Sequence, residues 1–135
     1  MNDLPWANRY SPSLDDFEAM AANAFARLPA HFRERCTDLV IRVEDFPDES
    51  VLDDLEAETP FDILGLYQGV SIAGRTSAPP VGPDMVFIYR RPILDYWAEF
   101  ADPLGGVITH VMVHEIGHHF GLSDADMEAI EAASG

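Results

Sequence analysis

The spacing of apolar residues predicts a first helix near the N-terminus. Between Ser13 and Leu28, hydrophobic side chains recur every three or four residues, which places them on one side of a helix. Ser13 can cap the first turn, and Pro29 ends the helix. The apolar stripe consists of Phe17, Met20, Ala21, Ala24, Phe25 and Leu28. We interpret this stripe as core packing rather than as a ligand pocket.

Short runs rich in β-branched and aromatic residues predict three strands, at 39–43, 63–72 and 85–90. Residues 48–58 combine acidic residues with leucine and predict a short exposed helix. Residues 73–84 contain three prolines and two glycines, so we expect a long loop between the second and third strands.

The C-terminal third of the chain predicts further helices. One covers residues 93–100, with Pro92 at its start. After a break at residues 103–106, an apolar run without proline predicts a buried helix from about Gly106 to Phe120.

A last helix is expected at residues 124–133, capped by Ser123 together with Asp126. All these elements together predict an α+β fold, with a small twisted mixed sheet, helices packed on one face and the 106–120 helix beneath it. The length suits a single domain over residues 1–135.

The 106–120 helix carries the sequence HEIGHHFGLSD at residues 114–124, with the pattern H-E-x-x-H-x-x-G-x-x-D. His114 and His118 are four residues apart, so on a helix they project from one face. Two imidazole nitrogens at this spacing can reach one metal ion at about 2.0–2.1 Å, as zinc requires. Glu115 lies beside the first histidine, where it can hold a metal-bound water without being a ligand itself.

Gly121 and Asp124 extend the motif beyond the helix. Glycine can end a helix in the left-handed conformation, so that the chain turns and brings Asp124 back as a third ligand. The predicted metal ligands are therefore His114, His118 and Asp124, with the fourth position open as in catalytic zinc sites. Asp124 has an alternative role, because a carboxylate at the start of the last helix is favourable in any case.

The other histidines of this helix have less direct expectations. His119 points about 100° away from His118, so it cannot share the metal from the same face. His110 lies on the ligand stripe but about 12 Å along the axis from His118, and we expect a hydrogen-bonded structural histidine. A core helix that carries histidines without metal is the structural alternative, and it would leave polar groups unsatisfied.

Composition narrows the functional classes. The formal net charge is −16, from 24 acidic residues against eight arginines and no lysine, so a nucleic-acid partner is not expected. The charge serves solubility, or alternatively attracts cationic peptides or metal ions to an acidic cleft. Cys36 is the one cysteine, which we expect to be a buried, inert thiol. No signal peptide or long apolar run is evident, so a cytoplasmic protein without a membrane partner is expected.

The motif resembles that of the metzincin branch of the zincin metallopeptidases, with Asp124 where most members have a third histidine. The segment HEIGHHFGLSDADM (114–127), with LGLYQG (64–69) and FIYRRP (87–92) upstream, is similar to a family of very small bacterial zinc metallopeptidases. The resemblance implies a zincin-like fold, one catalytic zinc and peptide-bond hydrolysis.

The resemblance also implies that extended substrate pairs with the strand bordering the cleft, for which Leu64 to Val70 is the candidate. A plain edge or central strand without ligand is the alternative.

Metzincins place a methionine turn beneath the metal. Met127 lies within a predicted helix, so we expect it to pack in the core near the zinc instead.

The leading hypothesis is a zinc-dependent peptidase in which Glu115 assists the attack of a zinc-bound water on a peptide or flexible protein segment. The alternative is a zinc-containing peptide-binding module with weak or no turnover. A third class, a zinc hydrolase with a non-peptide substrate such as a nuclease, is opposed by the acidic charge. Manganese, cobalt or iron also suit two histidines and one carboxylate, and Glu115 favours zinc. The sequence leaves the substrate and the oligomeric state open.

Overall fold

Residues 4–69 and 84–134 are described by the computed structural model. Within them the chain forms six helices and three strands. In chain order these are α1 (Leu14–Ala26), α2 (Ala30–Arg33), β1 (Val40–Glu44), α3 (Glu49–Asp54), β2 (Gly65–Gln68), β3 (Met85–Tyr89), α4 (Arg90–Glu99), α5 (Leu104–His119) and α6 (Asp124–Ala133).

The three described strands form one mixed sheet in the order β1–β3–β2. The central strand β3 pairs parallel with β1 and antiparallel with β2. Alternation along β3 places Val86 and Ile88 on one face, and both are fully buried. Helix α1 contacts β1, and α5 contacts both β2 and β3. Strand β2 is thus an edge of the described sheet and lies next to α5.

Helix α1 follows its predicted pattern. Ser13 accepts a hydrogen bond from the Asp16 backbone N–H, while the Asp16 carboxylate accepts one from the Ser13 backbone N–H. This reciprocal cap satisfies two donors that would otherwise lack partners at the helix start. Phe17 and Ala21 of the predicted stripe are fully buried, and α1 packs against α5. The stripe is core packing, as predicted.

Helices α5 and α6 form the base on which the site is built. Most of α5 is apolar and buried, and the burial includes Ile108, Met112 and Ile116. Helix α6 begins with a second reciprocal cap, between Ser123 and Asp126, as the sequence predicts. Its apolar residues Met127 and Ile130 face the core, and Met127 is fully buried. The packing of these two helices determines which polar residues of α5 face α6.

Two helices begin earlier than predicted. Helix α4 starts at Arg90, directly after β3, rather than at residue 93. Pro92 then lies in the first turn, where its missing N–H is not required. Helix α5 starts at Leu104 rather than near residue 106, with Pro103 at its N-cap position and the two glycines in its first turn.

The second predicted strand, at residues 63–72, is shorter in the structure and covers Gly65–Gln68. Its predicted end at 70–72, including Val70 of the proposed substrate strand, lies outside the described residues, as does the predicted loop at 73–84 except for its last residue. The short helix α2 is not predicted from the sequence. The predicted α+β class, with a small mixed sheet, is confirmed. Within the described ranges, no helix combines the length and apolar character needed to cross a bilayer.

Candidate metal centre and active site

Helix α5 sets the direction of every motif side chain. Its buried positions include Val107, Val111, Val113 and Ile116 on the sides that meet the sheet and α1. Of the polar residues, Glu115 and His119 lie against β2, whereas His110 and His114 lie against Glu131 of α6. This division follows from the helical rotation of about 100° per residue, because adjacent residues cannot face the same neighbour.

Glu115 lies on the side of α5 that faces β2. Its carboxylate accepts a hydrogen bond from the backbone N–H of Tyr67. Burial raises the pKa of Glu115 above its ordinary value of 4.5, and the charge of His118 and the Tyr67 hydrogen bond partly oppose this rise. A carboxylate with a raised pKa, held by one backbone donor beside two imidazoles, is suited to accept and release a proton.

The close approach of β2 to α5 depends on Gly65. A Cβ atom at this position would lie 2.6 Å from Val111 Cγ1, 3.0 Å from the Phe87 carbonyl oxygen and 3.3 Å from Glu115 Cγ. The first two distances are shorter than normal van der Waals contact, so a larger residue would push the strand from the helix. Glycine thereby brings the backbone of Tyr67 within reach of the Glu115 carboxylate.

His114 and His118 project on the same side of α5. Their ring centroids are 5.7 Å apart and their planes are 86° apart. Two imidazoles on one zinc ion at about 2.0–2.1 Å place their centroids roughly 5 Å apart, so small side-chain rotations suffice for both to bind one ion. The Nε2 atom of His114 is buried and has no hydrogen-bond partner in the described part of the chain. A buried imidazole nitrogen without a partner suits a metal, which would satisfy it.

Glu131 of α6 approaches the same stripe of histidines. Its Oε1 lies 2.8 Å from His110 Nδ1, and its Oε2 lies 3.5 Å from His114 Nε2. The rings of His110 and His114 are 4.0 Å apart between centroids. His110 thus has a carboxylate partner, in line with the structural role predicted for it. The potential ligand atoms of His110, His114 and Glu131 all lie within 4.8 Å of one another.

Asp124 is the first residue of α6, and it is exposed. Gly121 adopts the predicted left-handed conformation, with φ of 72°, so the chain turns after α5 as the motif requires. The structure nevertheless does not bring Asp124 and His118 into the close group of ligand atoms that contains His114. The assignment of His114, His118 and Asp124 as the metal ligands therefore stays a prediction.

The remaining motif residues have packing roles. The ring of His119 stacks on that of Tyr67, with 3.9 Å between centroids, and the Tyr67 hydroxyl donates to Asp84 at 2.9 Å. The His119–Tyr67 contact joins the end of α5 to β2. It is a second contact between these two elements, beside the hydrogen bond from the Tyr67 N–H to Glu115. Met127 is buried against Gly117, as expected of a core residue beneath the motif helix.

A cavity of about 390 Å³ opens beside the histidine stripe. Its walls are mostly apolar and come from the residue before β2, from α4 and from α5, while His110, Glu131 and Asp102 supply polar atoms. The lining includes Leu64, Tyr96, Val107 and Val111. A cavity of this kind has room for part of a ligand next to the histidines.

Cys36 takes no part in the site. The thiol is buried and lies 3.4 Å from the Phe32 carbonyl oxygen, to which it donates. Burial raises the pKa of Cys36 to about 11, although the charge of Arg35 acts in the opposite direction. The prediction of a buried thiol is confirmed, and at neutral pH it is protonated and unreactive.

Sequence reasoning missed two contributions to the site, those of Glu131 and of the Tyr67 backbone. Glu131 is four residues after Met127, so both lie on the core-facing side of α6. That spacing is a signal, because a glutamate on an otherwise apolar helix face needs a partner. The Tyr67 N–H gives no signal in the sequence, because every residue except proline carries such a donor.

Two comparisons with known proteins bear on the identity of the chain. A search among curated proteins finds no match. A profile of a family described as zincin-like metallopeptidase matches residues 36–133, which is most of the chain and includes the whole motif. The chain belongs to the zincin-like metallopeptidase family.

Proposed function

We propose that this protein is a zinc-dependent peptidase in which Glu115 is the general base. The observation that carries the proposal is the position of Glu115, which is partly buried against β2, bound to the Tyr67 N–H and adjacent to two histidines at ligand spacing. A metal site alone would account for His114 and His118. It would not account for a desolvated carboxylate held next to them.

The chemistry is divided between the ion and the protein. When bound to the histidines, with Asp124 as the proposed third ligand, zinc would supply Lewis-acid polarisation of the substrate carbonyl. Glu115 would take a proton from the attacking water and then deliver it to the leaving amine, so its carboxylate ends the cycle ionised as it began. The Tyr67 N–H holds the carboxylate in position through both transfers.

The substrate class that fits this arrangement is an extended peptide or flexible protein segment. Strand β2 is an edge of the described sheet, and Leu64, next to it, uses its carbonyl to accept from the Tyr89 N–H. Alternation along the strand then turns the backbone of Gly65 and Tyr67 away from β3, towards Glu115. Backbone groups that an edge strand turns away from its neighbour can pair with an extended peptide; the Tyr67 N–H, which already donates to Glu115, is not counted among them.

Backbone pairing can be tested with modified substrates. Once a cleaved peptide is known, N-methylation of single backbone nitrogens should raise its KM at alternate positions, because only every second N–H faces the strand. The same methylation scan on a non-cleaved region of the peptide serves as the control. Equal effects at all positions near the cleavage site would contradict pairing with β2.

The test of the function is a digest of a diverse peptide library by zinc-loaded protein, with the chelated protein and Glu115→Gln beside it. We expect cleavage by the zinc-loaded protein, loss with chelator, and loss in Glu115→Gln although zinc stays bound. Glu128→Gln makes the same charge change at an exposed position of α6 and is the matched control. A zinc-loaded protein that cleaves nothing would favour the alternative, a zinc-containing peptide-binding module.

A further inference from the structure

The histidine stripe of α5 meets a carboxylate that the metallopeptidase motif does not include. Glu131 extends from α6 and places one oxygen 2.8 Å from His110 Nδ1 and the other 3.5 Å from His114 Nε2. Neither His110 nor Glu131 belongs to the H-E-x-x-H-x-x-G-x-x-D pattern. The close packing of α6 on α5, with Met127 against Gly117, fixes this meeting point.

The spacing of the three side chains is close to that of a metal site. Ligand atoms at about 2.0–2.1 Å from a tetrahedral ion lie roughly 3.3 Å from one another. The two distances from the Glu131 oxygens fall on either side of that value, and all three ligand atoms lie within 4.8 Å of one another. An ion could therefore be held with small side-chain movements and no movement of either helix.

Two further observations point to a cation at this place. His114 Nε2 is buried and makes no hydrogen bond within the described residues, although Glu131 Oε2 lies 3.5 Å away, so the position already contains a ligand atom without a full partner. The adjacent cavity has room for the water molecules that would complete the coordination, and Asp102 adds a second carboxylate to its wall. Two imidazoles and a carboxylate suit a divalent transition-metal ion better than calcium or magnesium, which prefer oxygen ligands.

We propose that His110, His114 and Glu131 form a second binding position for a divalent transition-metal ion such as zinc or cobalt. Glu115, whose carboxylate accepts a hydrogen bond from the Tyr67 N–H of β2, is not one of the three ligands of this position. His114 also belongs to the proposed catalytic set, and one imidazole nitrogen binds one ion at a time. An ion at the second position would thus take His114 from the catalytic position; this consequence, but not the site itself, rests on the proposed function.

The site can be tested without any assay of activity. In the double variant His118→Ala, Asp124→Ala, the motif keeps only His114 as a ligand, so the second position should be the one that remains. We expect this variant to bind one equivalent of Co²⁺, followed by its visible absorption and by equilibrium dialysis. Adding Glu131→Gln or, separately, His110→Ala should weaken Co²⁺ binding by at least about tenfold.

Matched controls separate ligand loss from general effects. Glu128→Gln on α6 and His31→Ala on α2 make the same changes at exposed positions outside the stripe, and each should leave Co²⁺ affinity unchanged. His110 is 56% exposed, so His110→Ala carries little risk of unfolding the protein and keeps the test decisive if Glu131→Gln fails to fold. Circular dichroism checks the fold of each variant.

The outcomes are distinct. The proposal is overturned if the double variant binds no Co²⁺, or if its affinity is unchanged by His110→Ala or by a folded Glu131→Gln. Failure of the proposed function would appear elsewhere, as an absence of peptide cleavage by the zinc-loaded wild-type protein. The two results are independent, because Co²⁺ binding to the double variant requires neither Glu115 nor a substrate.

Discussion

The two polar sides of α5 differ in what they do to a charged group. Towards β2, Glu115 is partly buried, has one backbone donor and has a raised pKa. Towards α6, His110 and His114 meet the Glu131 carboxylate, a group that forms a hydrogen bond with His110 and could share a cation with both histidines. One side thus presents a carboxylate on which burial outweighs the charge of His118, and the other presents a cluster of ligand atoms.

The difference teaches how a single helix can separate two tasks. A group that moves protons benefits from a pKa closer to neutral, which burial provides. A metal site instead needs ligand atoms that are close together and unprotonated. Adjacent positions 114 and 115 are about 100° apart on a helix, so each side chain can have a different neighbour and hence a different environment.

The largest expected effect is the loss of zinc affinity when a shared histidine ligand is removed. His114→Ala removes a residue shared by both proposed ion positions, so zinc affinity should fall by more than about 100-fold, beyond the loss typical of an outer partner. His119→Ala is the matched control on the same helix, because His119 stacks on Tyr67 and is not an expected ligand. Competition with a zinc indicator measures both. Equal losses in the two variants would contradict the assignment.

The packing of β2 on α5 can be disrupted by a substitution at Gly65. Gly65→Ala would place a Cβ 2.6 Å from Val111 Cγ1, so the free energy of unfolding should fall by about 1–3 kcal/mol. Gly105→Ala meets no atom within 4 Å and should leave stability unchanged or slightly increased. Urea unfolding of both metal-free variants makes the comparison. A Gly65→Ala protein as stable as Gly105→Ala would show that β2 does not need this close approach.

The smallest expected effect is a change in folding stability with pH, caused by Glu115 alone. Because burial raises the folded-state pKa of Glu115 above 4.5, the folded protein holds this proton more tightly than the unfolded chain. The wild type should therefore lose stability relative to Glu115→Gln as pH rises from 4.5 through the folded-state pKa. Urea unfolding of the metal-free proteins at a series of pH values tests this. A constant difference between the two proteins would show that Glu115 is not desolvated.

Much of this arrangement is predictable from the sequence, because local rules govern it. The caps at Ser13 and Ser123, the apolar stripe of α1 and the left-handed turn at Gly121 each depend on a few neighbouring residues. The orientation of the motif histidines follows from helical spacing alone. These features are therefore the ones on which sequence and structure agree.

The parts that escape prediction depend on contacts between distant segments. Glu131 contacts His110, which is 21 residues away in the sequence, and Glu115 contacts Tyr67, which is 48 residues away. Spacing within one helix cannot reveal which side of a second helix faces it. The position of Asp124 relative to the histidines is equally hard to predict from spacing. It depends on the turn after α5 and on the packing of α6 as well as on the motif.

The division of tasks on α5 is tested most directly by turnover per bound zinc ion in wild type and Glu115→Gln. The substitution keeps the size of the side chain and removes its ability to accept a proton. We predict equal zinc content and a fall in turnover of about 10²–10⁴-fold, the usual contribution of a general base. Equal turnover at equal zinc content would contradict the role of Glu115, and so would a loss of activity fully explained by loss of zinc.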